Sequence, residues 1–499
     1  MRYTNPVIKG FYPDPSVCAA NGKYYLVTSS FQYFPGVPLF ESEDLVNWTQ
    51  IGHVLTRKSQ VMLDKVRSSG GVFAPTIRYD GKRFYMVTNN NSTFENFYVY
   101  TEDIYGEWSD PIAVDQDGID PSLLFDEGHC YFVSNGVGKD ENGNDINGVF
   151  QSEIDITTGA RLSEKRLLWT GSGGRYIESP HVYKIGGYYY LMVAEGGTEY
   201  GHMVTYARSK SVWGPYEPYA ENPVLTNRNK APYQIQAIGH GDLIQKENGD
   251  WYIVTLGFRQ IGDWEPFHNL GRETFLTPVR FDEAGWFTCG EDGTTDASYE
   301  IAGDFEQKEK KSFTFENTDW KIDWAYLRDM HPENYALSGD RAVLTGTGIT
   351  LEDVDSPTFI ALRQKDFAFE LSCDLKLSGE HAAEAGITLY MCEDEHYDLC
   401  IKRFDRQLFA ALKLNIGDIK HTQTIEPLTG DVHKLLIRAD AQRYRFYFLR
   451  DDGAEYYLGE GRTKYLSSEV SSGFTGTMIG LYAIGDCRAE FTNFICEYS

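Results

Sequence analysis

No stretch of this sequence reaches the eighteen or so consecutive apolar residues that a membrane-spanning helix needs. Its opening, MRYTNPVIKGFYPDP, carries no apolar run suited to a signal peptide. The eight cysteines (Cys18, Cys130, Cys289, Cys373, Cys392, Cys400, Cys487 and Cys496) form no C-x-x-C pair, which argues for reduced, mostly buried thiols rather than a disulfide framework. Together these absences predict a cytoplasmic chain. Basic residues are also short: 46 Lys and Arg against 73 Asp and Glu leave a formal net charge of −27. Such a field repels nucleic acid and anionic membrane, so neither is expected as a partner, while a neutral ligand is little affected. A convincing long helical pattern is missing as well.

Aromatic residues, by contrast, are abundant, at 14% of 499 residues with 34 Tyr and 29 Phe. They favour strands and supply flat apolar faces on which sugar rings or other ligands can stack. A glycine followed by an aromatic, apolar strand recurs five times: "GKYYLVTSS" at Gly22, "GKRFYMVTN" at Gly81, "GHCYFVSNG" at Gly128, "GYYYLMVAE" at Gly187 and "GDWYIVTLG" at Gly249. The starts are 59, 47, 59 and 62 residues apart. Each begins after a turn, as a strand leaving a hairpin does. A second element precedes each glycine ("DPSVCAA", "APTIRYD", "DPSLLFD", "SPHVYKI", "GDLIQKE"), and a third strand follows, often closed by Trp as in "FESEDLVNW". Three or four strands per unit, repeated five times, predict an all-β fold that begins with a five-bladed β-propeller over residues 1–303. A β-helix would need far shorter coils. After the charged stretch "EQKEKKS" at 306–312 the repeat is gone. Alternating strands such as "FAFELSCDLKL" and "AEFTNFICEY" then predict a jelly-roll-like, two-sheet β-sandwich over residues 304–499.

The repeat also sets a phase, because equivalent inner-strand positions of a propeller lie around one ring. Counted back from the repeating glycine, Asp14 and Asp120 lie eight residues upstream and Glu178 nine; Ala74, beside Phe73, lies seven and His240 nine. Three carboxylates from three blades should therefore converge near one end of the channel. Three acids in one pocket repel one another and lose solvation, a cost that points to function. Asp14 stands between Pro13 and Pro15, and a residue before proline is disfavoured in helical geometry, so Asp14 is expected to be held extended. Two carboxyl groups in unlike environments are what glycoside hydrolysis requires, one as acid and one as base. A third acid would raise the pKa of the acid partner.

Five motifs, "NPVIKGFYPDPSV", "GIDPSLLFD", "YIESPHVY", "AIGHGDL" and "LGRETFLTPV", occur in order and in phase with the blades. As a set they resemble family 43 glycoside hydrolases, and specifically the β-xylosidases and α-L-arabinofuranosidases that carry a C-terminal β-sandwich. The resemblance spans nearly the full chain. It implies a pocket-shaped site that removes one terminal β-1,4-D-xylosyl or α-L-arabinofuranosyl residue at a time from a short oligosaccharide, with inversion. Asp14 would be the general base, Asp120 the pKa modulator and Glu178 the general acid. Arg272, in "LGRETF", would reach the sugar and the acids. Phe31, in "SSFQYFPGV", would wall the pocket, and Phe474, in "GFTGTMIGLYA", would close it from the sandwich domain. Phe73 stands where close relatives show Trp in a W-A-P motif, which leaves the preferred pentose open. His240, in "AIGHGDL", resembles a histidine that holds a calcium ion in the channel through water; no organic cofactor is implied. Two other readings compete: a carbohydrate-binding propeller without catalysis, and a fructan-cleaving enzyme, whose N-D-P and R-D-P motifs are absent. Whether the chain is a monomer or a homo-oligomer stays open.

Overall fold

The computed structural model describes every residue except 140, 141, 231, 380, 406 and 451. Five four-stranded antiparallel sheets stand around one axis; four are built from strands consecutive in sequence, and the first passes over one two-residue strand. Their inner strands are Ser16–Ala20, Thr76–Tyr79, Ile119–Asp126, Glu178–Ile185 and Ile235–Gln245. The aromatic repeats form the second strand of each blade, as in Lys23–Val27 and Tyr188–Glu195. Their side chains fill apolar clusters between neighbouring blades, for example Tyr25 and Val27 with Ile77 and Phe84. The ring is closed by the chain's start: Arg2–Thr4 pairs with Ser298–Glu300, and Val7 and Ile8 donate to Thr274 O in the fifth blade.

Polar groups pin the inner strands to one another. Thr76 Oγ1 donates to Pro121 O at 2.9 Å and Ser122 Oγ to Pro180 O at 2.6 Å. Deeper in the channel, Arg78 grips fully buried Asp242 with two nitrogens at 2.8 and 3.0 Å and reaches His181 Nδ1 at 2.9 Å. Ser16 and Tyr183 hydroxyls also donate to Asp242, so four blades meet on one carboxylate. Such bidentate, fully hydrogen-bonded geometry is what makes a buried ion pair tolerable.

From Ser312–Thr314 onward the chain builds two antiparallel sheets packed face to face, eight strands in one and seven of the eight in the other. Strand Phe369–Ser378 alternates buried and exposed residues with period two, as a sheet with one covered face demands. The second face of one sheet lies on the propeller, where Phe359, Tyr390, Met478 and Tyr482 pack with Phe11, Phe31 and Tyr33. The union goes further than packing. The two-residue strand Tyr33–Phe34, from within the first blade, joins the sandwich sheet by pairing with Ala325–Leu327. Fully buried Arg328 pairs with Glu393, donates to Val66 O and Asp355 O at 2.5 and 2.7 Å, and through its own N–H reaches Gln32 O. All eight cysteines are unpaired, and seven are buried. No helix among the described residues is long and apolar enough to cross a membrane.

Candidate active site

The three acids sit at the starts of three inner strands. Asp14 and Asp120 are buried and Glu178 is half-buried. Contrary to the extended geometry expected between two prolines, Asp14 has φ 55°, in the left-handed region. Asp120 (φ 52°) repeats this, and so does Ser179 (φ 53°), each immediately before a proline. The ladders confirm an irregularity there, with register shifts between Ile119 and Ser122 and between Glu178 and His181. A short polar residue tolerates the left-handed conformation, and the bulge turns its side chain off the strand and toward the axis. Ser179 is thus the true phase partner of the two aspartates, with Glu178 one step upstream. Ser179 N–H donates to Asp120 Oδ2 at 3.0 Å, which ties the third and fourth blades at this point.

Arg272 reaches the cluster as expected. Its Nη1 donates to Asp14 Oδ1 at 2.9 Å and to Thr198 Oγ1 at 2.9 Å, and its Nη2 donates to Phe474 O at 3.1 Å. The Ser29 hydroxyl donates to Asp14 Oδ2 at 2.5 Å. Burial disfavours the charged form of Asp14, but the Arg272 guanidinium above all, helped by Ser29, holds its carboxyl below the usual range. The other two acids move the opposite way. Burial first, then the charge of Asp14, pushes Glu178 up to about 7, with Arg272 partly offsetting. Burial, followed by Glu178 and Asp14, raises Asp120 well above the usual carboxylate range.

Phe31, Phe73 and Phe474 come together around the arginine. Phe31 and Phe474 stack at 6.1 Å, Phe73 meets Phe31 at 5.3 Å and Phe474 edge-on at 6.3 Å, and the guanidinium lies 5.6 Å from both Phe31 and Phe474. Phe474 N–H donates to Ser69 Oγ at 2.8 Å, fixing the sandwich loop on the propeller. A cavity of about 580 Å³ opens here, lined by Glu178, Tyr176, Thr198, Tyr200, Arg272 and Phe474 among others. Its lining residue Arg272 reaches buried Asp14, and Phe31 and Phe73 pack against the Phe474 ring. The sandwich adds Glu469, which receives Tyr200 OH at 3.0 Å and faces His268 Nδ1 at 2.8 Å.

His240 also carries a positive φ (49°) and turns into the ring, with Nδ1 3.7 Å from Asp14 Oδ1. Burial holds it below the usual histidine range despite that carboxylate. The donor set around it does not fit a directly ligated calcium ion: the described residues contain no group of three or more His, Cys, Asp or Glu able to hold a metal. Asp14 is committed to Arg272 and Ser29, and Asp242 to Arg78.

Several contributors escaped the sequence reading. Ser29 lies two residues beyond the first repeat strand, and Thr198, Tyr176 and Tyr200 sit on loops outside the repeat phase. Glu469 belongs to the other domain. The "TSS" after the first glycine strand carried a weak signal, since a hydroxyl beside an inner-ring acid is a natural donor; the loops carried none.

A five-bladed propeller whose inner strands present three acids, joined by an arginine at a cavity shared with a β-sandwich, defines a class of glycan-cleaving enzymes. Comparison with known proteins places the chain within it. Residues 3–287 match the model of glycosyl hydrolases family 43, and residues 312–496 match the beta xylosidase C-terminal concanavalin A-like domain. The chain belongs to glycosyl hydrolase family 43. It is 38% identical to a non-reducing end alpha-L-arabinofuranosidase of Bacteroides ovatus, covering 98% of this chain and 92% of that protein. It is 34% identical to a xylosidase/arabinosidase of Butyrivibrio fibrisolvens, covering 99% and 98% respectively. The solved structure of a xylan beta-1,4-xylosidase from Bacillus halodurans superposes with a TM-score of 0.90 at 29% identity, covering 99% of this chain and 100% of that one.

Proposed function

We propose that this glycoside hydrolase is an inverting exo-pentosidase that removes terminal β-D-xylosyl and α-L-arabinofuranosyl residues from short oligosaccharides. Asp14 acts as general base on a water, Glu178 as general acid on the leaving oxygen, and Asp120 as the neighbour that orients Glu178 by holding the N–H of Ser179 beside it. One observation carries the assignment: Arg272 hydrogen-bonds Asp14, whereas no cation among the described residues pairs with Asp120 or Glu178. One carboxyl is thereby kept ionised and another kept protonated near neutral pH, the split that acid and base roles require. A cavity walled from two domains favours a chain end over an internal bond. The relatives' activities on xylosyl and arabinosyl groups support the pentose assignment.

The test is a nuclear magnetic resonance time course on nitrophenyl β-xyloside and α-L-arabinofuranoside. Turnover of both, with the opposite anomer appearing first, is the expected result. First release of the same anomer would sink the inverting mechanism, because retention requires two displacements through a covalent glycosyl-enzyme rather than one attack by water.

Phe474→Ala is expected to raise KM about tenfold on a nitrophenyl pentoside and to leave kcat within about threefold. Loss of one aromatic face is worth roughly 1–1.5 kcal/mol, and 1.4 kcal/mol is a factor of ten. The backbone contacts of residue 474 to Arg272 and Ser69 survive the substitution. Steady-state kinetics with an unchanged KM would exclude the ring from the sugar site.

A further inference from the structure

The loop that leads into Glu178 is wrapped around another carboxylate, to which the chemistry above gives no role. Glu195 ends strand Tyr188–Glu195 and is fully buried. Ser172 donates to its Oε1 through N–H at 2.7 Å and through Oγ at 3.0 Å, and Thr205 Oγ1 adds a third donor at 2.6 Å. Gly174 N–H donates to Oε2 at 2.6 Å. The acid is thus satisfied by two backbone N–H groups and two hydroxyls rather than by a cation. Gly171 and Gly173, with φ 85° and 102°, curl the backbone so that its N–H groups face one anion, as in an anion-binding nest. A Cβ at Gly174 would stand 2.6 Å from Glu195 Oε2, and one at Gly171 would stand 2.9 Å from its Cδ, so the loop fits this side chain closely.

The neighbours give the arrangement its meaning. Ala194, one residue before Glu195, is the cross-strand partner of Glu178. Gly196 N–H donates to Arg175 O at 2.8 Å, and Arg175 Nε returns to Gly196 O at 2.9 Å. Arg175 and Tyr176 then line the cavity. One buried side chain therefore sets both the chain that ends at Glu178 and the rim past which a leaving group departs.

We propose that Glu195 is a positioning residue for proton donation: it holds segment 171–176 so that Glu178 meets the glycosidic oxygen. The proposal rests on Glu178 being the general acid. Its test compares Glu178→Gln, Glu195→Gln and Thr205→Val in the full chain on two substrates, xylobiose and 2,4-dinitrophenyl β-xyloside. The dinitrophenolate departs without a proton, so the proton donor matters only for xylobiose. Glu178→Gln should lose far more on xylobiose; equal losses on both substrates would overturn the general-acid reading and this proposal with it. Against that reference, Glu195→Gln is expected to lose about 10- to 100-fold in kcat on xylobiose, the scale of a misplaced catalytic group, and less than about threefold on the dinitrophenyl glycoside. Equal losses on both substrates, or none on either, while Glu178→Gln shows its split, overturn the positioning role. If Glu195→Gln fails to fold, Thr205→Val removes only one hydrogen bond and is expected to show the same split at about threefold to tenfold. No split in that variant overturns the proposal as well.

Discussion

Glu178→Gln is expected to reduce kcat/KM on a natural disaccharide by about 10²- to 10⁴-fold, the usual contribution of a general acid. The glutamine keeps the shape of the site but has no proton to give. In the wild-type enzyme the same group, as the proposed general acid, is expected to set the alkaline limb of the pH profile. Glu178 must be protonated to act, and burial with the nearby charge of Asp14 raises it to about 7, so kcat/KM falls as pH rises past that value. Asp14 is held below the usual range by Arg272 and stays ionised down to mildly acidic pH. Stability follows the same sign. A carboxyl whose pKa is raised in the folded state contributes fully below its unfolded value, and that contribution is lost as pH rises through about 7. Glu178→Gln should therefore gain melting temperature relative to wild type at pH 8 and not at pH 4. A flat difference between the two pH values would argue against the buried, proton-holding environment.

Asp14→Asn is expected to lose about 10³-fold on disaccharide and dinitrophenyl glycoside alike, because water must be activated whatever the leaving group. This equality separates the base from the acid in one pair of assays. The substitution also removes the anionic partner of buried Arg272, whose Nη1 lies 2.9 Å from Asp14 Oδ1. Breaking a buried ion pair on one side costs about 3–5 kcal/mol, moderated here because the amide oxygen still accepts from Arg272. A lowered melting temperature should accompany the lost activity. Wild-type turnover in this variant would remove Asp14 from the mechanism.

Much of this was legible in the chain before any coordinates. Five glycine–aromatic strands at similar spacing require five similar units, and a shared phase requires Asp14, Asp120 and Glu178 to meet. Backbone conformation was not legible: Pro15 argued for an extended Asp14, yet Asp14 and Asp120 both lie in the left-handed region, Asp120 within a bulge. A one-residue offset was visible at Glu178 but not its cause, which is that Ser179 holds the equivalent place. Residues recruited from loops could not be seen at all. Thr198 touches Arg272, and Ser172 reaches Glu195, only because separate turns meet in space. His240 was legible as an inner-ring residue, while its partners depended on where Arg272 and Arg78 direct their charge.

Strand Tyr33–Phe34 has a consequence for how such enzymes change over generations. Two residues of the first blade complete the sheet of the second domain, and Arg328 of that domain is seated on Gln32 and Val66. Neither half is an interchangeable cassette. A gene fusion that replaced the sandwich with a foreign module would leave a sheet edge, a buried arginine's carbonyl partners and the roof of the pocket all unmatched at once. Variation in substrate choice is therefore expected to accumulate as point changes along the seam, at positions such as 69, 73 and 474, with the two halves inherited together.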